Sequence, residues 1–184
     1  TKGHHDRLAF VEKLKNHYGD KIDVFGRGFN SFGDKWDVLA PYKYHIAIEN
    51  SQADYYLTEK LTDCYITNTY PIYYGCTNAE KFFPKEAFLS IDINNAEEAI
   101  RKIDALIASE TFENSGNLLA SCKDKVLDEY NMYEQIARVC DTLDLTRPKE
   151  RVTLKPMSKM FNWEHIKREV FSRNYWKIRS ALGI

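Results

Sequence analysis

No stretch of about 18 consecutive apolar residues occurs in the 184-residue chain, which excludes a conventional membrane-spanning helix. The chain opens Thr1-Lys2-Gly3-His4-His5-Asp6, with neither an initiator Met nor an apolar leader segment, so it reads as a piece of something longer. Its four cysteines, Cys64, Cys76, Cys122 and Cys140, are too few and too widely spaced for a small disulfide scaffold or a zinc site. They read as buried thiols of a reducing compartment. No Asn-x-Ser/Thr triplet exists: Asn50-Ser51-Gln52 and Asn68-Thr69-Tyr70 place the hydroxyl one residue too early, which disfavours a secreted glycoprotein. The histidines show no paired ligand spacing, and the carboxylates form no cluster that marks a metal site. Gly26-Arg27-Gly28 lacks a third glycine at dinucleotide spacing and any following Gly-Lys-Ser/Thr, so it reads as a tight turn after a strand. There is no internal repeat and no low-complexity stretch.

What is present is a globular composition, 43% hydrophobic, 29% charged and 14% aromatic. The net charge of -1 conceals an asymmetry. Residues 145–184 hold ten Lys/Arg against Glu150, Glu164 and Glu169, a net +7, leaving -8 for residues 1–144. An acidic body, 1–144, is therefore expected to carry a basic, aromatic C-terminal segment, 145–184, which meets an anionic surface or forms a solvated surface helix.

Leu8, Val11, Leu14 and Tyr18 recur at helical spacing behind Asp6, a candidate N-cap. Lys21 to Gly26 reads as a strand, as does Tyr44-His45-Ile46-Ala47-Ile48, a short apolar run suited to a parallel strand buried on both faces. A helix from Tyr55 to about Thr67, the strand Pro71–Tyr74, a helical turn at Ala79 to Phe83 and the strand Phe88–Asp92 follow. From Asn95 the period becomes helical, with Ala96, Ile100, Ile103 and Leu106-Ile107 in one stripe, and helical patterns continue through Leu118 to Leu143. Pro148 and Pro156 precede a last amphipathic helix, from about Asn162 to Leu182. Strands alternating with helices predict an α/β fold with a mostly parallel, Rossmann-like sheet and a helical C-terminal extension. His45 reads as a satisfied core histidine, and Tyr70, Tyr73 and Tyr74 as packing residues.

Ligands of open parallel sheets bind beyond the carboxyl ends of the strands. With Asp54 as N-cap, Tyr56, Glu59 and Lys60 fall at i, i+3 and i+4 on one helical face, opposite Leu57, Leu61 and Cys64. A helix N-terminus offers free N–H groups and partial positive charge to a diphosphate, and Lys60 adds a point charge. Glu59 would be repelled by phosphate and suits a pair of ribose hydroxyls instead. The competing reading is that all three are ordinary surface residues.

The string Tyr42-Lys43-Tyr44-His45-Ile46-Ala47-Ile48-Glu49-Asn50-Ser51, followed by Asp54-Tyr55-Tyr56-Leu57-Thr58-Glu59-Lys60-Leu61, closely resembles the signature of the α-1,3/4-fucosyltransferases, glycosyltransferase family 10. Pro71 and Gly75, and the segment Phe83-Pro84-Lys85-Glu86-Ala87-Phe88 with Ile91-Asp92, resemble further family segments. The likeness runs from about Arg7 to Asp92. It departs from the family pattern at Thr62-Asp63-Cys64 and Thr69-Tyr70, which replace more apolar residues.

The resemblance implies the C-terminal, donor-binding lobe of a GT-B enzyme, with GDP-fucose as donor; no metal is expected, because cationic side chains can neutralise the diphosphate. It assigns Tyr56, Glu59 and Lys60 to the donor, Glu59 through ribose hydroxyls and Lys60 through phosphate, with Asn50 close by. Arg7, in the family's Arg-x-x-Phe (Arg7 and Phe10 here), becomes a second phosphate cation. It implies transfer with inversion, the general base coming from an N-terminal lobe outside this chain, so no catalytic residue is named. The expected partners are a nucleotide sugar and a glycan or lipopolysaccharide acceptor, with no nucleic acid, in the bacterial cytoplasm. The C-terminal helix would pack across the cleft or lie on an anionic leaflet. The rival readings are a GT-B lobe for another sugar nucleotide, and a noncatalytic module with a basic tail for membrane or nucleic acid.

Overall fold

The computed structural model describes residues 2–26, 28–148 and 153. By its internal contacts the chain divides into two units, Thr1–Thr142 and Leu143–Ile184. The described part of the second begins with a turn in which Asp144 Oδ1 accepts from the Thr146 amide at 2.9 Å and its hydroxyl at 2.6 Å. The helix expected over Asn162–Leu182 lies outside the described residues.

In the first unit α1 spans Lys2–Tyr18. It buries Phe10 and Leu14, while Leu8, expected in that stripe, is 40% exposed, so the buried face is rotated from the one expected. Asp6 lies inside the helix and does not cap it, because residues 2–6 contain no proline and the helix propagates back through them.

The sheet has three parallel strands in the order β1 (Tyr44–Ile48), β2 (Tyr70–Tyr74) and β3 (Leu89–Ser90), with Tyr44 opposite Tyr70, Ile48 opposite Tyr74 and Ile72 opposite Leu89. All five residues of β2 are buried, the pattern of a central parallel strand covered on both faces. Pro71 is tolerated there. The Tyr70 amide donates to Lys43 O of the β1 side, so the next nitrogen points towards β3, whose pairing starts only at Ile72.

Lys21 to Gly26 forms no strand. Phe25 makes an isolated bridge to Asn30, the Gly26 amide donates to Asn30 O, and the Asn30 amide donates to Val24 O. The segment closes on its own glycine-bearing loop, and its apolar residues find local partners, with the Phe25 ring edge-on to Phe32 and Tyr42.

Helices cover the sheet. The helix α3 (Glu59–Ile66) buries Leu61, Cys64 and Tyr65, and α4 (Ala96–Ile107) buries Ala96, Ala99, Ile103 and Leu106, with Asn95 capping it through the Glu98 amide. Ile107, read into that stripe, is 52% exposed. The short α2 (Lys35–Leu39) and α5 (Thr111–Asn114) connect elements, and α6 (Gly116–Asp124) buries Leu119 and Cys122 before a π-turn over Lys125–Glu129. The last described helix, α7 (Met132–Asp141), buries none of its residues. Tyr65 and Phe83 stack with ring centroids 4.6 Å apart in the core, and Tyr70 and Tyr73 are buried as packing residues. Cys64, Cys76 and Cys122 are buried free thiols, but Cys140, also expected inside, is exposed because α7 has no neighbour over that face among the described residues. No described helix is long and apolar enough to cross a membrane.

Candidate functional site

Polar residues converge where β1 and β2 end. Running out of the apolar β1, the chain reaches Glu49, whose side chain is wholly buried. A carboxylate so placed must be compensated. Its Oε1 accepts from the Thr58 hydroxyl at 2.6 Å and the Thr58 amide at 3.2 Å, and its Oε2 lies 3.2 Å from Lys60 Nζ. Across the sheet, β2 runs into Gly75, where any Cβ would overlap Glu49 Cγ and the Tyr73 hydroxyl. The Tyr73 hydroxyl accepts from the Cys76 amide at 2.9 Å. Burial above all, with Glu49 and Tyr56 adding their charge, pushes its pKa up.

The helix after β1 begins four residues later than expected. Asp54 does not cap it, since its carboxylate accepts from the Thr77 hydroxyl, and Tyr55 takes a left-handed backbone, φ 62°, with its amide donating to Asn78 Oδ1 at 2.9 Å. Thr58 is the N-cap, accepting from the Lys60 amide at 3.4 Å. Tyr56 therefore stands in the preceding loop, its amide held by Ala53 O, and does not share a helical face with Glu59 and Lys60. Those two open α3 itself.

Lys60 Nζ is surrounded by three oxygens: Glu49 Oε2 at 3.2 Å, Thr58 Oγ1 at 3.2 Å and Glu59 Oε1 at 3.3 Å. Glu59 is also 3.7 Å from Lys35 Nζ, which donates to Asp63 at 2.8 Å. Desolvation alone would raise the Glu59 pKa, but its own backbone amide, Lys60 and Lys35 together hold it below the usual glutamate value. Arg7 donates to Asn50 Oδ1, so two expected site residues 43 positions apart meet at the end of β1. His45, expected as a satisfied core histidine, lies on β1 and is partly buried. Burial lowers its pKa to about 4, against the pull of Asp63 and with the push of Lys35, so it is neutral at pH 7.

Two buried side-chain polar atoms make no hydrogen bond among the described residues, Glu49 Oε2 and Asn78 Nδ2. The first is compensated by the Lys60 ammonium 3.2 Å away, which leaves Asn78 Nδ2 as the buried polar atom at this end with no partner among the described residues. Glu49, Thr58, Gly75, Asn78 and Lys35 were not singled out from the sequence as functional. A charged residue ending an apolar strand, and a Thr directly before Glu59, are signals that could have found Glu49 and the N-cap. No group of three His, Cys, Asp or Glu able to hold a metal occurs among the described residues.

Residues 1–155 match the C-terminal domain of glycosyltransferase family 10 (fucosyltransferase). The chain belongs to this family. It is 38% identical over 74 residues to the alpha-(1,3)-fucosyltransferase of Helicobacter pylori, covering 40% of this chain and 16% of that protein. It is 33% identical over 91 residues to a human 4-galactosyl-N-acetylglucosaminide 3-alpha-L-fucosyltransferase, covering 47% of this chain and 25% of that one. The chain thus spans a quarter or less of these relatives. Among solved structures, an alpha1,3-fucosyltransferase crystallised with GDP-fucose superposes with a TM-score of 0.52 at 30% identity, over 62% of this chain and 34% of that one. The same kind of enzyme crystallised with GDP gives 0.51 at 29% identity, with the same coverage. The family 10 chain thus has the α/β fold expected of it, a parallel sheet flanked by helices.

Proposed function

We propose that this family 10 chain is the donor lobe of an inverting fucosyltransferase that holds GDP-fucose while fucose passes to a glycan hydroxyl. The observation that carries the reading is the convergence at the end of β1: Arg7 on Asn50, and Lys60 at the start of α3 beside Glu59. Breaking the bond between fucose and GDP leaves negative charge on the diphosphate, and catalysis requires that charge to be met by fixed cations and N–H donors. Lys60, the opening amides of α3 and Arg7 supply them, with Asn50 positioning Arg7. Glu59 accepts ribose hydroxyls, and Tyr56 lines the approach from the loop. Diphosphate neutralised this way calls for no metal.

The acceptor hydroxyl must also lose a proton, and the base for that step belongs to an N-terminal lobe that would close over this one as in other GT-B enzymes. We read the acceptor as a glycan or lipopolysaccharide and the setting as the bacterial cytoplasm. The basic segment 145–184 serves either the cleft or an anionic leaflet.

Calorimetry of the chain with GDP, GDP-fucose and UDP tests the proposal. GDP and GDP-fucose should bind, and Lys60→Ala should abolish both. Preference for UDP would point to another sugar nucleotide, and indifference to all three would refute the donor role.

A further inference from the structure

Lys60 has three N–H donors; Thr58 Oγ1 and Glu59 Oε1 accept from two of them, and Glu49 Oε2 lies 3.2 Å from the ammonium. An incoming phosphate competes with these oxygens for the ammonium. Glu49 cannot leave, being wholly buried under the site, and Thr58 is tied to Glu49 by both hydroxyl and amide. Glu59 is the most readily moved of the three, its side chain 56% exposed and held by its own backbone amide and the Lys60 and Lys35 ammonium groups. Its carboxylate stands between two cations, where an anion would sit.

Resting on the donor reading above, we propose that Glu59 is the selectivity element of the site. Its carboxylate occupies the Lys60 ammonium in place of phosphate and is drawn off only by a ligand whose ribose hydroxyls give it a new partner. A diphosphate that carries a ribose replaces what it displaces. Bare inorganic pyrophosphate does not, and it meets a carboxylate left unpaired beside its own charge. The site thereby favours a nucleoside diphosphate over free anions. Discrimination of this kind depends on stranding a polar group in the wrong complex.

The test is calorimetric titration of the 184-residue chain with inorganic pyrophosphate and with GDP, in the wild type, Glu59→Gln, Glu59→Gln with Lys60→Ala, and Glu97→Gln. Glu97 also lies in the first turn of a helix, α4, and controls for loss of one negative charge. Glu59→Gln should bind pyrophosphate about fivefold tighter or more, the scale of one unit repulsion removed at a few ångströms in a mostly aqueous site. The preference for GDP should fall by at least that factor, the gain should vanish when Lys60 is also Ala, and Glu97→Gln should change nothing. Pyrophosphate binding that is unchanged, weaker or undetectable in Glu59→Gln overturns the proposal, as does an equal gain in Glu97→Gln. A wild type that ignores GDP while Glu59→Gln still gains pyrophosphate through Lys60 would refute the donor reading alone.

Discussion

Glu49 and Lys60 are eleven positions apart, separated by a loop that no periodicity describes, yet they lie 3.2 Å apart in the fold. Lys60→Ala leaves the carboxylate buried without its cation. Breaking a fully buried pair costs about 3–5 kcal/mol. Because Lys60 keeps 26% exposure, about 2 kcal/mol is expected here, read as a shift in urea midpoint. Adding Glu49→Gln to that variant should restore most of the loss, since a neutral amide tolerates the vacancy. A double variant no more stable than Lys60→Ala would show that the pair is not what holds Glu49. His45 gives a second residue-scale expectation. Its pKa falls from 6.5 unfolded to about 4 folded, so the unfolded chain binds more protons between those values. Stability is full above pH 6.5 and is lost as pH falls towards 4, with a slope approaching about 1.4 kcal/mol per pH unit. The lowered carboxylates, Glu59, Glu98 and Glu113, start from a usual value of 4.5 and add to the loss at the acid end of that window, so the His45 effect is read at its upper end. Thermal melts of His45→Gln should be flat between pH 6.5 and 5 where the wild type slopes.

Elements differ in how much of them local sequence can reveal. The apolar run of β1, the fully buried β2 and the stripe of α4 were legible because burial writes a short period into the chain. The start of α3 was not, because Tyr55 adopts a left-handed backbone that an aromatic residue does not advertise, and because Glu49, far upstream, secures Thr58 as the cap. Lys21 to Gly26 looks like a strand, but strand formation needs a partner, and pairing is a non-local property. Of the candidate residues, spacing set Glu59 and Lys60 near a helix terminus, but on a helix expected from Tyr55 and with an ordinary surface role as the competing reading; Arg7 and Asn50 were named only through the family resemblance, and their contact is a finding of the structure. α7 shows amphipathy without burial: Met132, Ile136 and Val139 repeat at helical spacing but are 65%, 52% and 61% exposed. Ile136→Ser should therefore change stability by less than about 0.5 kcal/mol. Ile103→Ala, in the core beneath α4, should cost about 3 kcal/mol. Chemical denaturation of both variants checks the contrast.

At the scale of the whole molecule, the described residues place the proposed donor site at one end of a three-stranded sheet. The four thiols offer a way to watch that unit as a whole. Burial drives the Cys64 thiol far up in pKa and Cys122 up to about 11, while Cys140 stands exposed on α7. Maleimide should thus attach rapidly to a single sulfur in the native protein. Mass spectrometry over hours should then find the second, third and fourth adducts arriving together, at a rate set by global opening. Early labelling of two or more sites would mean the core breathes piecemeal. A dye placed on that one reactive sulfur gives an optical reporter on α7 whose chemistry leaves the three buried thiols unmodified.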